Sequence, residues 1–341
     1  IKDMRGGKLT NMTAGNITTL RAGEIVGMSG GIIGTLSDNG KVTTMSGTAK
    51  INSMIGGDVT TINAGEIVTM SDGTVANLAG GKITTVTGGD ITSMTDGIVG
   101  TMDGGTIASL TGGWINNFNA GATIDEMDGG IIDRFTNGTL NNWISGTINT
   151  LVNGSLALVH DNNTIGEMLN GTVTSMTGGN INKLSGGNVQ SVTGGVIGQL
   201  NNAIVDLLAG GTITNMTNGS VGSMTDGEIT TITGGTVDSV TGGIVKNLNF
   251  GGTIATLDGG TIDKMDRGTI GNWISGTINT LVNGTLALVH DNNTIGNMKS
   301  GTITSMTGGL ITTVDGGIIA SLSGGNITDL NNGTIHAIVN G

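Results

Sequence analysis

The stretch GGKLTNMT-AGNITTLR-AGEIVGMS-GGIIGTLS, residues 6–37, decides the fold of this chain. Each block of eight residues has Gly at its second position, Ile, Val or Leu at its fourth, and an apolar residue, mostly Met or Leu, at its seventh. About 41 such octads follow one another along the chain. A repeat of this extent predicts an architecture in which each repeat packs only on its neighbours.

The residue types within the octad favour strands over helices. Ile, Val and Thr are common in strands, and a Gly pair every eight residues would destabilise a helix by about 1 kcal/mol per Gly. Gly instead supplies the positive φ of a turn, so we expect one strand of three to four residues per octad, closed by a turn. Positions four and seven would lie on opposite faces of a straight strand. Both are apolar, so we expect the backbone to bend between positions five and six and to place both inside.

The pattern therefore predicts an all-β fold, a β-solenoid. In one arrangement a single chain uses two octads, or 16 residues, per coil, and about 20 coils rise on the order of 100 Å. In the other, three chains intertwine as a homotrimeric triple-stranded β-helix. The predicted core positions are represented by Ile17, Ile25, Met28, Ile83, Met94, Trp143, Ile213, Met216, Trp273 and Met306.

Two further features mark the organisation of the chain. Six octads carry one extra residue, which we interpret as a fixed bulge or corner: 38–46, 47–55, 120–128, 153–161, 250–258 and 283–291. The segment NWISGTINTLVNGSLALVHDNNTIGEM (142–168) returns, nearly unchanged, at 272–298. We expect one continuous domain, 1–341, cut from a longer protein, with a 130-residue duplication over about 112–241 and 242–341.

Composition limits the classes of function. The 341 residues include 66 Gly, no Cys and 2% aromatic residues, and only 11% are charged. This leaves little material for a catalytic site, so we expect no enzyme and no cofactor. The net charge of −12, without a Lys/Arg run, argues against nucleic acid as a partner. No apolar run is long enough to predict a membrane span.

The most polar clusters are the two HDNN segments, 160–163 and 290–293. Oxygen atoms of Asp161, Asn162, Asp291 and Asn292 are candidate ligands of a cation. The alternative is an Asx-rich turn that accommodates the extra residue of its octad, since Asn and Asp tolerate left-handed backbone. We favour the turn.

Other polar and aromatic residues give weaker signals. Trp114 occupies position three, which points outward, and it is a candidate contact residue. The neighbouring carboxylates Asp125, Glu126 and Asp128 fit a solvated face better than an acid/base pair, because no aromatic side chain flanks them to hold a sugar. Thr and Ser flank positions four and seven in several octads, which suggests ice or crystal-surface binding as an alternative function.

Octads with an inward apolar residue near a turn Gly resemble the β-helical needle of contractile phage tail spikes, as in MDGG (102–105) and MTDG (94–97). The Gly- and Thr-rich array is also similar to shafts of phage tail fibres and stalks of long bacterial adhesins. The resemblance implies a stiff structural shaft, extracellular, on a cell surface or on a virion. It implies other copies or adjoining fibre subunits as partners, and a host-surface glycan or protein as a target.

Overall fold

A computed structural model describes residues 1–339, so the last two residues of the predicted domain lie outside the described part. The chain forms two compact units: Ile1–Leu156 with Asn162–Gly166, and Ala157–Asp161 with the residues from Glu167 onward. All regular structure in the described residues is strand. Each unit is a parallel β-solenoid, and the two together contain about 21 turns.

The first unit contains ten complete strands, β1 to β10. Their bounds are Asp3–Met12, Asn16–Met28, Ile32–Met45, Lys50–Ile62, Glu66–Val86, Asp90–Met102, Gly105–Leu110, Trp114–Phe118, Ala122–Thr136 and Thr139–Asn153. The residues of β11 (Ser155–Val159) and β12 (Asn163–Met168) are divided between the units.

The second unit contains the strands β13 to β25. Their bounds are Thr172–Leu184, Asn188–Leu200, Ala203–Met216, Gly219–Ile232, Gly235–Val240, Ile244–Asn249, Gly252–Asp266, Thr269–Val282, Gly284–Val289, Asn293–Met298, Gly301–Val314, Ile318–Leu330 and Thr334–Ile335.

Strand pairing sets two octads per coil. β2 and β3 are parallel, and Ile17 pairs with Ile33, sixteen residues along the chain. The same register joins Val189 to Val205 in the second unit. An octad therefore lies over the second octad after it, which stacks position four on position four and position seven on position seven.

The strands are longer than the octad pattern predicts, and β5 spans 21 residues. The prediction of three to four residues was wrong because the backbone keeps its inter-coil hydrogen bonds around the bends. β5 continues through the corners at Gly73 and Gly81, where Ile55 pairs with Asp72 and Ala79 pairs with Asp96 between coils. Ile17 and Thr19 both pair with residues of the next coil, whereas Thr18, at position five between them, does not. The missing pair marks the bend of the octad.

The bend turns positions four and seven to the same side, and both are buried. The ten residues named above as predicted core are all buried, Trp143 and Trp273 being 6% and 5% exposed and the other eight 2% or less. Burial of one such aliphatic or Met side chain contributes about 1.5–3 kcal/mol. Because most coils bring four of them inside, the two ladders form the hydrophobic core of each unit.

Position two is glycine for two reasons, which Gly89 illustrates. Its φ is +81°, in the region that disfavours residues with a side chain. A Cβ on Gly89 would also lie 2.6 Å from the carbonyl oxygen of Gly73 and 2.8 Å from Cε of Met70, both on the preceding coil. The glycine corner is therefore a place where stacked backbones approach too closely for any side chain.

At a few corners a residue other than glycine takes the positive φ. Asp38, Asn137, Asn202, Arg267 and Asn283 have φ between +53° and +62°. In the octad that begins at Asn202, position one carries the left-handed conformation and Ala203 occupies position two, buried. The left-handed conformation can therefore lie at position one in place of position two, and position two then accepts a residue with a Cβ.

Outward side chains form polar ladders between coils. In the first unit Lys50 Nζ lies 3.0 Å from Glu66 Oε2, and Thr84 Oγ1 donates to Glu66 Oε1 (2.8 Å). The Thr84 hydrogen bond, followed by that of Lys50, holds the pKa of Glu66 below its ordinary value. The pKa values of Glu24, Glu167 and Glu228 are lowered in the same way, by a Lys and a hydroxyl side chain.

We predict that Gly89→Ala lowers the stability by about 1–2 kcal/mol or more, because Ala must adopt a left-handed conformation and push on the Gly73 carbonyl. The measurement is the urea midpoint of the circular-dichroism signal. The double variant Gly88→Asn/Gly89→Ala copies the corner at Asn202 and Ala203, so it should recover part of the loss. Equal midpoints for Gly89→Ala and the parent chain would contradict the role assigned to the corner.

We also predict that the ladder carboxylates make stability depend on pH. A folded-state pKa below the unfolded one adds stability above the unfolded value and loses it as pH falls through the ordinary Glu range, near 4.5. The stability difference between the parent chain and Glu66→Gln should therefore shrink between neutral pH and about pH 3. A difference that stays constant over this range in urea titrations would refute the prediction.

Candidate functional site

A groove of about 660 Å³ lies along the glycine corner of the first unit. Ile98, Trp114 and Ile131 form one wall, each at position three of its octad. Ile98 pairs with Trp114, and Trp114 pairs with Ile131, so the three side chains stand on consecutive coils. We call this row the Trp114 stripe. The remaining lining is Asp96 and the glycines Gly80, Gly81, Gly97, Gly112, Gly113 and Gly130.

The structure places Trp114 on the outside, at 41% exposure, and Ile98 beside it at 42%. The sequence singled out Trp114 as a contact residue, but its two apolar neighbours were missed. They are 16 and 17 residues away in the chain, and only the stacking of coils brings them together. The available signal was the coil period itself, which aligns position three of every second octad.

Asp96 supplies the ionisable group of the groove. Its Oδ1 accepts a hydrogen bond from the Gly97 amide (2.7 Å), and the residue is exposed. Lys82 precedes Ile98 in the same row, because the two are paired on adjacent coils. A carboxylate therefore lies on the rim, and an ammonium group lies one coil beyond the end of the Trp114 stripe.

The duplicated part of the chain has the same corner without the stripe. Glu228, Ile244 and Thr261 occupy the equivalent positions in the second unit and are paired in the same order. Asp226 Oδ1 accepts a hydrogen bond from the Gly227 amide (2.7 Å), as Asp96 does from the Gly97 amide. The corner geometry is thus common to both copies, whereas the aromatic and apolar row is specific to one.

The second HDNN segment forms a tight corner around Asn293. Asn293 is 1% exposed; its Oδ1 accepts from the His290 amide (2.9 Å), and its Nδ2 donates to the Trp273 carbonyl (3.4 Å). The Asn293 amide in turn donates to the His290 carbonyl (2.9 Å). The segment is therefore a turn from His290 to Asn293 that the Asn293 side chain closes, and Asn293 was not among the residues named from the sequence.

The predicted cation ligands lie on the outside of these corners. Asp291 and Asn292 are exposed, and the Asp291 carboxylate packs over Gly308 of the next coil, where a Cβ would overlap it. Asp161 packs over Gly178 in the same way, and Asn162 is exposed. No group of three His, Cys, Asp or Glu side chains suited to a metal occurs among residues 1–339. Cation binding by these four residues stays a prediction.

The repeated segment also interrupts the backbone ladder in the second unit, which the sequence did not reveal. Residues 269–273 of β20 pair with the preceding coil, and β21 pairs with the following coil. None of the described register pairs joins these two segments to each other. A cavity of about 180 Å³ lies here, lined by both edges, including Ile270, Trp273, Leu286, Leu288 and His290.

Trp273 spans this interruption and is held by its own polar atoms. Its Nε1 donates to the Ser275 carbonyl (3.1 Å), and Ser275 Oγ donates to Asp258 Oδ1 (3.0 Å). Trp143 makes the same 3.1 Å hydrogen bond to Ser145 in the first unit. These hydrogen bonds orient each indole, so both Trp residues serve the structure of a corner as well as filling the core.

The three neighbouring carboxylates each take a partner from the next coil. Asp125 accepts from Asn141 (2.9 Å), Glu126 accepts from Asn142 (3.3 Å), and Asp128 accepts from Ser145 (2.9 Å). They belong to the polar ladders of the surface.

Hydroxyl side chains also align along one row. Position six of consecutive coils in the first unit carries Thr19, Thr35, Ser53 and Thr69 in register.

Among the described residues, no helix is long and apolar enough to span a membrane.

We predict that Asn293→Ala destabilises the corner by about 1–3 kcal/mol, because the His290 amide and the Trp273 carbonyl lose their buried partner. Asn292→Ala, one residue earlier and exposed, is the matched control and should change stability little. Urea unfolding followed by circular dichroism measures both. Equal effects would show that the Asn293 side chain does not hold the corner.

Comparison with known proteins adds no family to these observations. No protein-family model, no curated protein and no solved structure matches the chain. The resemblance to phage shafts and adhesin stalks therefore rests on the octad pattern alone.

Proposed function

We propose that this chain is a structural shaft segment of an extracellular or virion fibre, acting as a rigid spacer for attachment to a host or a surface. The observation that carries the proposal is the stacking of position-four and position-seven side chains, which are buried in most coils of each unit. A stack of this kind resists bending because backbone hydrogen bonds and core contacts both run along the axis.

The same stacking explains how such a shaft grows. Each coil contacts its neighbours only, so length increases by duplication without redesign of a core. The near-identical segments at 142–168 and 272–298 are consistent with that route. The connections between strands in residues 1–339 are short and offer few places for a catalytic cleft, which supports a structural function over an enzymatic one.

We propose single-chain coils as the arrangement, with the intertwined homotrimer as the alternative. The register pairs close each described coil on its own chain, as Leu9 with Ile25 and Ile303 with Ile319 illustrate. A triple-stranded β-helix would instead need other chains between successive coils. Other copies of the chain, or adjoining fibre subunits, would then join the shaft at its ends.

A second candidate function is ice or crystal-surface binding through a Thr-rich face. The row of Thr19, Thr35, Ser53 and Thr69 favours it, because hydroxyls repeat there at the coil spacing. Arg21 and Ile55 stand two positions further on in the same octads as Thr19 and Ser53, and they break the regularity of that face. The shaft is the better supported of the two.

Small-angle X-ray scattering with light scattering tests the shaft. We expect a mass near the 33.9 kDa of one chain and a maximum dimension on the order of 100 Å. A mass three times larger would select the intertwined trimer. A maximum dimension of about half the expected value would mean that the units do not act as one spacer, and it would overturn the proposed function.

A further inference from the structure

We propose that the groove beside the Trp114 stripe binds a linear saccharide, with the Trp114 indole stacked on a pyranose ring. This inference does not depend on the shaft function, because it rests on three side chains and one corner of the first unit. It assigns a ligand-binding site and a class of ligand to a surface that the coil stacking creates.

The first argument is the chemistry of the exposed wall. A pyranose ring has a face of C–H groups and a periphery of hydroxyls, so it is recognised by an apolar surface bordered by polar groups. The Trp114 indole is a large apolar surface with a polar N–H, and Ile98 and Ile131 extend it by one coil on each side. At a strand spacing of about 4.8 Å the stripe covers roughly 10 Å along the axis, which suits consecutive rings of a linear chain.

The second argument is the lining beside the stripe. The glycines of the corner present backbone only, and the groove of about 660 Å³ is open to solvent. Pockets of this volume are in the range that holds small organic ligands. The fold requires these glycines at the corner. The lack of side chains on this part of the groove is therefore a consequence of the fold.

The third argument is the position of the charges. Asp96 lies on the rim, and one of its oxygens is already oriented by the Gly97 amide (2.7 Å), which leaves the other to accept from a sugar hydroxyl. Lys82, one coil before Ile98, offers a donor at the end of the stripe. An acceptor and a donor that border an apolar row complement the hydroxyl groups of an uncharged ligand.

The second copy shows that the stripe is not a requirement of folding. Ile244 occupies the position of Trp114 and is equally exposed, at 41%. Glu228 and Thr261 replace the two isoleucines, and Glu228 forms an ion pair with Lys246 (2.8 Å). The same corner therefore folds without the aromatic residue, which provides matched variants for a test.

The experiment titrates the full chain with cellotriose, chitotriose and xylotriose at up to millimolar concentration and measures binding by isothermal titration calorimetry, with tryptophan fluorescence of the parent chain as a second readout. Trp143 and Trp273 are buried, so a fluorescence change that disappears in Trp114→Ile reports the groove. We expect at least one trisaccharide to bind, with affinity reduced about tenfold or more in Trp114→Ile and reduced to a smaller degree in Asp96→Asn. Trp114→Ile places in the first copy the residue that the second copy already carries, so it should fold.

A gain-of-function variant tests the same proposal by adding the stripe where it is absent. The triple variant Glu228→Ile/Ile244→Trp/Thr261→Ile transfers the stripe to the second unit, and the binding stoichiometry should rise from one to two. Absence of binding by every trisaccharide, equal binding by Trp114→Ile, or failure of the transferred stripe to bind would each overturn the proposal. So would a response to tetramethylammonium alone, or a light-scattering mass that falls when Trp114 is replaced, since these assign the stripe to a cation or to self-association.

Discussion

The structure depends on the close approach of stacked backbones at the glycine corner. At Gly89 the space that a Cβ would need is occupied by the Gly73 carbonyl and by the Met70 side chain of the coil below. The turn, the inter-coil hydrogen bonds and the packing of the Met ladder therefore meet at one residue. Where the chain departs from this rule it changes the corner as a whole, as at Asn202 and Ala203, because the left-handed conformation has to be taken by some residue nearby.

This constraint separates the inside of each coil from the outside. Positions two, four and seven are fixed by the corner and the core, so the remaining positions are free to vary. Some use this freedom for ladders such as Lys50 with Glu66, in which the partners lower the pKa of the Glu66 carboxyl. Others diverge between the two copies, as Trp114 and Ile244 do. A repeat fold can thus keep its architecture while one coil acquires a contact surface.

The proposed shaft and the proposed saccharide site are compatible, and neither requires the other. A stiff array is suited to hold a contact residue at a fixed distance, and the glycines of the corner line the groove beside it with backbone only. The repeated segments at 142–168 and 272–298 serve another purpose: each orients a Trp and, in the second unit, closes an interruption in the ladder with Asn293.

The octad pattern by itself predicted the fold class and the inward positions, because these follow from local spacing and from the conformational freedom of Gly. It offered the coil of two octads as one of two arrangements. It also drew attention to Trp114. The tertiary structure decided the rest: the long strands that continue around the bends, the role of Asn293, the break beside Trp273, and the row of Ile98, Trp114 and Ile131. These features join residues sixteen to twenty positions apart through contacts between coils. Which outward side chains become neighbours depends on the register between coils, and the register is fixed only when the coils stack.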